Sequence, residues 1–432
     1  MRRQNKSVMV IGPVGEPKAP GNGFRELPSM QLLAAYLAAN GVCTKFVWGT
    51  VENILSQIGK FRPDVVAMTS FWNSGYEALA TRILRSFPSI KVATGGYDVT
   101  GRSKEGEVPK VGTWFVGPSF KALLNQLDSL EPWPAVVHGL PDEPSIDEMP
   151  PPIRIGKLIT GSHFNGRLSI PAPSKITGVA SLTGSVGCPG ICAFCANSLM
   201  NRCQVQRRDP TDVVREAIGL THLGANLIYM TDEAIDTDLE WLDELCEQLI
   251  AVKFSKRAKL MAGARAGGLS LAMLHKMKKA GFGQLGVGIE WTEEVRGKLK
   301  GKGALTDLQL HKFALRCDEV GIISMGFTLL GPWCKSDGQI VNDFKQIREL
   351  GFDLLSCNEV LAFKGTGLSM HGWEGLGADA RTLRFPTDIT GGLGGFGEML
   401  PMSYHLSDGY IYRTGRKCRA HPELERSFRE AR

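Results

Sequence analysis

No histidine precedes His138, and a single cysteine, Cys43, precedes Cys188. The first absence removes imidazole as a metal ligand from the N-terminal part of the chain. The second excludes a metal cluster held there by several thiolates. Long apolar runs are missing as well, and no stretch approaches the length of a membrane span. The opening Met1-Arg-Arg-Gln-Asn-Lys6 is basic, but the apolar run behind it breaks at Gly12-Pro13, too short for a signal-peptide core. The ten cysteines show no disulfide-like framework, and there is no internal repeat or low-complexity segment. A reducing cytoplasm is therefore the expected setting. Charge of one sign is not in large excess. A net +6 over 432 residues does not argue for nucleic acid, and an anionic cofactor or substrate accounts for it equally well. Arg413, Arg416, Lys417 and Arg419 read as a solvated basic surface. What remains is an ordinary soluble composition, 43% hydrophobic and 22% charged, long enough for two domains.

What the chain has in concentrated form is one short run, Cys188-Pro-Gly-Ile-Cys192-Ala-Phe-Cys195. Three thiolates spaced C-x-x-x-C-x-x-C can hold three irons of a [4Fe–4S] cube and leave the fourth iron open for chemistry. A structural zinc site needs four closed ligands and usually a second C-x-x-C pair, which is missing here. Cys203 lies near enough in sequence to act as a lone fourth ligand, so zinc stays as the alternative, with inert thiols behind it. The spacing favours the cluster.

Ahead of this run, short apolar stretches alternate with helical patterns, the signature of a parallel sheet with crossover helices. Val8–Ile11, Thr44–Trp48, Asp64–Met68, Ile90–Ala93 and Thr113–Val116 read as strands. Helices are predicted over Ser29–Asn40, Val51–Gly59 and Phe120–Leu130. In such an α/β sheet a ligand binds beyond the carboxyl ends of the strands. The Gly12–Gly23 loop, Ser70-Phe71-Trp72 and Gly95-Gly96-Tyr97 all fall at that edge, where glycine lets the backbone approach a large flat or phosphate-bearing ligand. Taken singly, each glycine reads better as an ordinary turn. The proline-rich Pro132–Pro152 reads as a semi-rigid spacer. The expected division is a Rossmann-like domain over 1–131, a linker over 132–175, a second domain over 176–368 and an extension over 369–432.

From Ile176 the strand–helix alternation resumes. Strands are predicted at Val179–Leu182, Leu227–Met230, Leu260–Ala264, Gln284–Ile289, Ile322–Leu330 and Leu354–Phe363. Asp209-Pro210 is a helix start, and Thr306-Asp-Leu-Gln309 is a capping box. Six such units imply a partial (β/α)6 barrel with chemistry at the carboxyl ends of its strands. The cysteine loop, Asp232, Glu233, Arg265 and Glu290 fall at those ends. Each alone reads equally as a cap or a surface ion pair; their recurrence favours a common site.

The cysteine run resembles the cluster loop of the radical S-adenosylmethionine (radical SAM) enzymes, and the resemblance extends over about Ile176–Leu368. Tyr229-Met-Thr-Asp232-Glu233 looks like the segment that holds the SAM amino group in that family. Arg265 and Gly288-Ile-Glu290 match positions that contact SAM or its carboxylate. Ala362-Phe-Lys-Gly-Thr-Gly367 is similar to the loop closing the last strand. Two departures, Trp291 after the glutamate and Gly267-Gly268 in place of an aspartate, are expected to reshape the substrate pocket. Together with this motif, Leu27-Pro-Ser-Met-Gln-Leu-Leu-Ala-Ala-Tyr-Leu-Ala38 and Gly95-Gly96 make the first domain resemble the cobalamin-binding domain of the cobalamin-dependent members. Its Asp-x-His-x-x-Gly loop is absent, as in many of those relatives.

The resemblance implies a [4Fe–4S] cluster on Cys188, Cys192 and Cys195, and SAM near Asp232, Glu233, Arg265 and Glu290. It implies cobalamin near Ser70, Phe71, Trp72, Gly95, Gly96 and Tyr97, a small-molecule substrate, and an electron donor such as flavodoxin or ferredoxin. The implied reaction is cleavage of SAM to a 5′-deoxyadenosyl radical and methylation of an unactivated carbon. A non-methylating radical enzyme (cyclase, ring contraction, dehydration or decarboxylation) is the alternative, and a non-enzymatic iron–sulfur or zinc protein the remote one. A methylthiotransferase is disfavoured because that family holds a second cluster on N-terminal cysteines. No catalytic side chain is singled out, and the 369–432 extension is read as a strap over the barrel or a wall of the pocket.

Overall fold

The computed structural model describes residues 6–14, 28–70, 75–154, 168–169, 180–201, 203–300, 303–331, 333, 336–360, 363–371, 399–401 and 410–413. Two sheets organise them. The first holds β1 (Ser7–Val14), β2 (Cys43–Gly49), β3 (Val65–Thr69), β4 (Lys91–Gly95), β5 (Thr113–Val116), β6 (Val136–His138) and β7 (Leu168–Ser169). Their order is β6-β5-β4-β3-β1-β2-β7, parallel throughout. Helices α1 (Pro28–Ala39) and α5 (Phe120–Asp128) cover one face, and α2 (Val51–Phe61) and α3 (Tyr76–Ser86) the other. The period of two explains why both faces fit. Val8, Val10, Val65, Ala67 and Phe115 point to the α1/α5 layer, while Met9, Ile11, Val66, Met68 and Trp114 point to the α2/α3 layer. The chain leaves β1 toward β2 and returns to β3 on the opposite side, so a crevice opens at the carboxyl ends between them.

Four elements of the first sheet and its helices, α3, α4 (Tyr97–Lys104), β6 and β7, exceed the sequence expectation. The proline-rich stretch contributes β6, which brings His138 to the same sheet edge, and α4 follows Gly96 directly. Gly96 holds φ +107°, and a Cβ there would lie 2.5 Å from Ser70 O and from Thr69 Oγ1. This turn is therefore closed to other residues.

The second sheet runs β8 (Ala180–Leu182), β11 (Leu227–Met230), β12 (Lys259–Ala264), β13 (Phe282–Glu290), β14 (Ile323–Leu330) and β15 (Leu354–Glu359), all parallel, numbered past a short antiparallel pair. That pair, β9 (Ser185–Val186) and β10 (Gln206–Arg207), frames the cysteine loop and α6 (Asn197–Asn201). The sheet stays open between β8 and β15 and is extended past β15 by antiparallel β17 (Tyr410–Arg413) and β16 (Met399–Pro401). The extension thus adds strands to the barrel edge; its other residues lie outside the described ones. Outside the sheet pack α7 (Pro210–His222), α8 (Leu239–Ala251), α9 (Leu271–Ala280), α10 (Glu293–Lys300), α11 (Asp307–Val320) and α12 (Asp337–Glu349), with α13 (Gly367–His371) after the last strand. Asp209 caps α7 with proline in its first turn, and Thr306 and Gln309 form the expected box on α11.

Leu260, Leu285, Val287 and Ile289 belong to the helix layer, whereas Leu227, Met261, Ile323, Met325 and Leu354 form a separate inner cluster lining the half-barrel. Arg154 binds Ser181 O at 2.6 Å and also pairs with Glu216, which Arg208 meets at 2.7 Å; this buried trio joins the end of the spacer to the barrel. The two domains dock through α4. A Cβ at Gly101 would overlap Lys364 O, and Glu105 accepts from Gly365 N at 2.8 Å and Ser369 Oγ at 2.5 Å. No helix among the described residues is long and apolar enough to cross a membrane.

Candidate active site

The cysteine run leaves β9 as a loop clamped from three sides. Glu233 accepts Gly187 N at 2.9 Å, one residue before Cys188. Ala193 N donates to Leu299 O, and Leu368 N to Ala193 O, each at 2.9 Å. The loop is further stiffened by Cys195 N donating to Cys192 O at 3.0 Å and by Gly190 N donating to Cys188 Sγ at 3.4 Å. A Cβ at Gly190 would stand 3.4 Å from Cys188 Sγ and 3.7 Å from Cys192 Sγ, so the loop turns between two thiols. Burial pushes the Cys195 thiol up to about 11, and the neighbouring Cys192 and Cys188 add to the rise. Cys203 donates its thiol to Gly190 O at 3.7 Å, on the back of the same loop.

The donor set suits a [4Fe–4S] cube: three free thiols lie on one short loop, with the Gly190 turn between two of them. In a [4Fe–4S] cube each thiolate takes a different iron corner, so its ligand sulfurs stand apart.

The acids predicted at the strand ends separate into two roles. Asp232 is buried and turned back on its own barrel, accepting from Gly184 N at 3.0 Å and Ser185 Oγ at 2.7 Å. Burial pushes its carboxyl above the usual range despite those bonds. Glu233 is also pushed up by burial, and it lines the cavity described below. Glu290 sits at the end of β13 with φ +62° and pairs with Lys300 Nζ at 2.9 Å. Lys300, Glu290 and Arg265 all act electrostatically on the Cys192 thiol, whose rise comes first from burial. Arg265 is exposed, its backbone held by Asp236 at 2.7 Å. Lys300 and Asp236 were not singled out from the sequence: one is the last residue of an ordinary charged helix, the other a loop acid.

Trp291 does not shape a pocket. It is 1% exposed, lies in the outer helix layer and donates Nε1–H to Asp343 at 2.7 Å. The strand ends at Glu290, whose φ of +62° and the bond from Trp291 N to Ile289 O at 2.9 Å turn the chain, and the side chain after that turn packs among the helices. Gly267 and Gly268 are exposed, beside Leu305 and Leu239.

A cavity of about 850 Å³ connects the two sheets. On one side lie Gly95, Gly96, Tyr97, Gly117 and His138 at the first sheet's carboxyl edge; on the other lie Tyr229, Glu233, Gln284 and Phe327 of the half-barrel. That volume is near the upper end for small-molecule sites, roughly 300–1,000 Å³. At Gly117 a side chain would meet nothing within 4 Å, so the backbone faces open space there. Both observations suit a large flat ligand at that edge. Tyr97 bridges the sides: burial first, then the charges of Glu233 and Cys195, push its phenol up. Ser70 is buried and gives its hydroxyl to Asp98 at 2.7 Å rather than to the cavity. Phe71 and Trp72 lie outside the described residues.

No protein-family model and no curated protein matches the chain. Solved structures do. The radical S-adenosylmethionine methyltransferase TsrM from Kitasatospora setae, with cobalamin and a [4Fe–4S] cluster bound, aligns at TM-score 0.64 and 14% identity, over 86% of this chain and 78% of that one. The same enzyme with tryptophan substrate and a SAM analogue gives 0.62 over 84% and 76%. OxsB, a cobalamin-dependent S-adenosylmethionine radical enzyme with aqua-cobalamin and S-adenosylmethionine bound, aligns at 0.57 and 16% identity, over 80% and 52%. At such identities the likeness concerns architecture, and the architecture agrees over both domains: the chain has the fold of the cobalamin-dependent radical SAM enzymes, a Rossmann-like domain set over a partial (β/α)6 barrel.

Proposed function

We propose that this chain is a radical SAM enzyme that holds a [4Fe–4S] cluster on Cys188, Cys192 and Cys195 and methylates an unactivated carbon of a small molecule, with cobalamin seated at the first sheet's edge. The observation that carries the reading is one cavity bounded by Gly95–Tyr97 on one side and the half-barrel on the other, with the charges of Glu233 and Cys195 felt at the Tyr97 phenol. When bound, the cluster supplies the electron that cleaves SAM to a 5′-deoxyadenosyl radical, and cobalamin supplies the methyl group.

The chain's own residues do the positioning. Glu233, Leu299 and Leu368 fix the thiol loop. Glu290, Lys300 and Arg265 set one acid and two bases beside Cys192, a complement to the amino and carboxylate groups of an amino-acid ligand such as SAM. Asp232 acts on that ligand only through the loop it ties down. Gly95, Gly96 and Tyr97 offer bare backbone and one aromatic ring to the corrinoid; Ser70 shapes that turn from beneath, and Phe71 and Trp72 follow it in sequence. The first domain, docked through α4, keeps water from the barrel mouth. A cytoplasmic flavodoxin or ferredoxin is the proposed electron donor.

The test is cobalamin and iron content after anaerobic cluster reconstitution with hydroxocobalamin. Near-stoichiometric corrinoid and about four irons per chain are expected. Cys192→Ala should lose the cluster and all SAM cleavage. An intact cluster that cleaves SAM without corrinoid would sink methyl transfer and leave a non-methylating radical enzyme; zinc in place of iron would sink both.

A further inference from the structure

The inner face of β13 reads Gln284, Gly286, Gly288, because Leu285, Val287 and Ile289 face the helices. Of this strand only Gln284 and Gly286 line the cavity, so Gln284 is its one polar side chain there; Glu290, at the strand's end, pairs with Lys300 instead. It is 4% exposed and lines the cavity beside Met261, Met325 and Phe327. Its Nε2–H contacts Met325 Sδ at 3.2 Å, while its Oε1 has no hydrogen-bond partner among the described residues. The orientation follows from chemistry: an amide N–H is attracted to a thioether sulfur, and an amide oxygen is not. A buried carbonyl without a donor is unfavourable, and native proteins rarely leave one without a functional reason.

Gly286, the next inward position, carries no side chain, and the Phe327 ring occupies the space a Cβ would need. The wall around the amide is therefore mostly apolar, with Met261, Met325 and Phe327 and the Tyr229 ring of β11 on the same inner cluster. The charged residues that line the cavity, Glu143, Arg208 and Glu233, come from other elements, and Arg208 is already paired with Glu216. The torsion at the end of a glutamine is broad, so a small turn of the amide brings Oε1 to a ligand in the lumen at little cost.

We infer that Gln284 is a specificity-determining residue, whose Oε1 accepts a hydrogen bond from an N–H or O–H of a neutral, largely apolar substrate bound in the lumen. This rests on the half-barrel being the reaction chamber of the proposed enzyme, and it adds the substrate's class: uncharged at the buried end, with one donor there.

The test compares wild type with Gln284→Met on the anaerobic, cluster-loaded full chain. Methionine keeps length and flexibility but removes the polar atoms. Two fragment pairs serve as probes, indole with 1-methylindole and phenol with anisole, each pair differing only in the donor. Wild type is expected to bind the donor member of at least one pair about tenfold more tightly than its methylated partner. In Gln284→Met that preference should fall to about one, and the melting temperature should rise by about 2 °C or more, because an unpaired buried carbonyl has been removed. The inference is overturned by a lower melting temperature in the variant, by methylated partners that bind as well as their parents, or by no binding in either pair. Iron content and 5′-deoxyadenosine release from the same samples keep the two readings apart. A donor preference without cluster or SAM cleavage sinks the radical enzyme alone, and SAM cleavage without donor preference sinks Gln284 alone.

Discussion

The two sheets are built from the same strand–helix unit, yet they hold their strand ends by different means. In the first sheet the ends are fixed by backbone: Gly96 packs on Ser70 O, Ser70 N donates to Gly95 O, and one serine–aspartate bond completes the turn. In the second they are fixed by carboxylates, buried at Asp232 and half-buried at Glu233 and Asp236, each accepting from a loop N–H. The first sheet is covered on both faces, so only its edge can meet a ligand, and a bare edge suits a broad flat one. The half-barrel has an open inner face as well, and its loops must place thiols and charges to within a fraction of an ångström. Carboxylates do that because a hydrogen bond to a charged or partly charged acceptor outweighs one between neutral backbone groups.

The largest expected effect comes from separating the two sheets. Gly101→Ala adds one methyl group to α4, which in an isolated helix would stabilise by up to about 1 kcal/mol. Here that methyl would overlap Lys364 O, so the sign should reverse, with a net loss of about 2–3 kcal/mol. Faster proteolysis at the domain junction, with each sheet's own core still protected from hydrogen exchange, is the expected readout. A variant as stable as wild type would mean that the docking drawn through α4 does not hold the domains together.

Next in size is a cut at the carboxylates of the second sheet. Asp232→Ala leaves Gly184 N and Ser185 Oγ without their acceptor in a buried place, at a cost of about 1–3 kcal/mol. Iron retained after reconstitution should fall with it, because the strand that launches the cysteine loop loosens. Asp232→Asn should recover most of the loss, since burial already disfavours the charged carboxylate. Equal damage from both variants would show that charge, not hydrogen bonding, is what Asp232 supplies.

These contrasts also explain what could be read before folding. The thiol spacing, the alternation of strands and helices, and the caps at Asp209 and Thr306 are local, and each left its mark within a few residues. Strands β6 and β7 have three and two residues, too short for any period to register, and β6 was hidden among prolines. Trp291 was not legible, because the chain turns at Glu290 with φ +62° and strand parity stops there. Lys300 beside Cys192 and Glu105 beneath Gly365 join residues far apart in the chain. No local pattern encodes such meetings; the first follows from how the half-barrel closes on its own loop, the second from how the two sheets dock.

The smallest expected effect sharpens the comparison, because it asks whether a carboxylate also holds the joint between the sheets. Glu105 accepts from Gly365 N and Ser369 Oγ and pairs with Lys364 Nζ at 2.9 Å. Burial opposes its ionisation, yet the bonds from Ser369, Gly365 and Lys364 prevail and bring its carboxyl down to about 2 from an ordinary 4.5. A lowered value means that the folded state favours the charged form. The contribution is therefore complete above pH 4.5 and is lost as the pH falls toward 2. Glu105→Gln keeps an acceptor for Gly365 and Ser369 but removes the charge, so at neutral pH it should cost about 1 kcal/mol, reduced by partial exposure of the pair. The difference between wild type and variant, followed by denaturant midpoint, should shrink steadily between pH 4.5 and 2 and stay flat above. If it were constant across that window, the charge would be idle, and the joint would rest on the close approach of Gly101 to Lys364, backbone against backbone as in the first sheet.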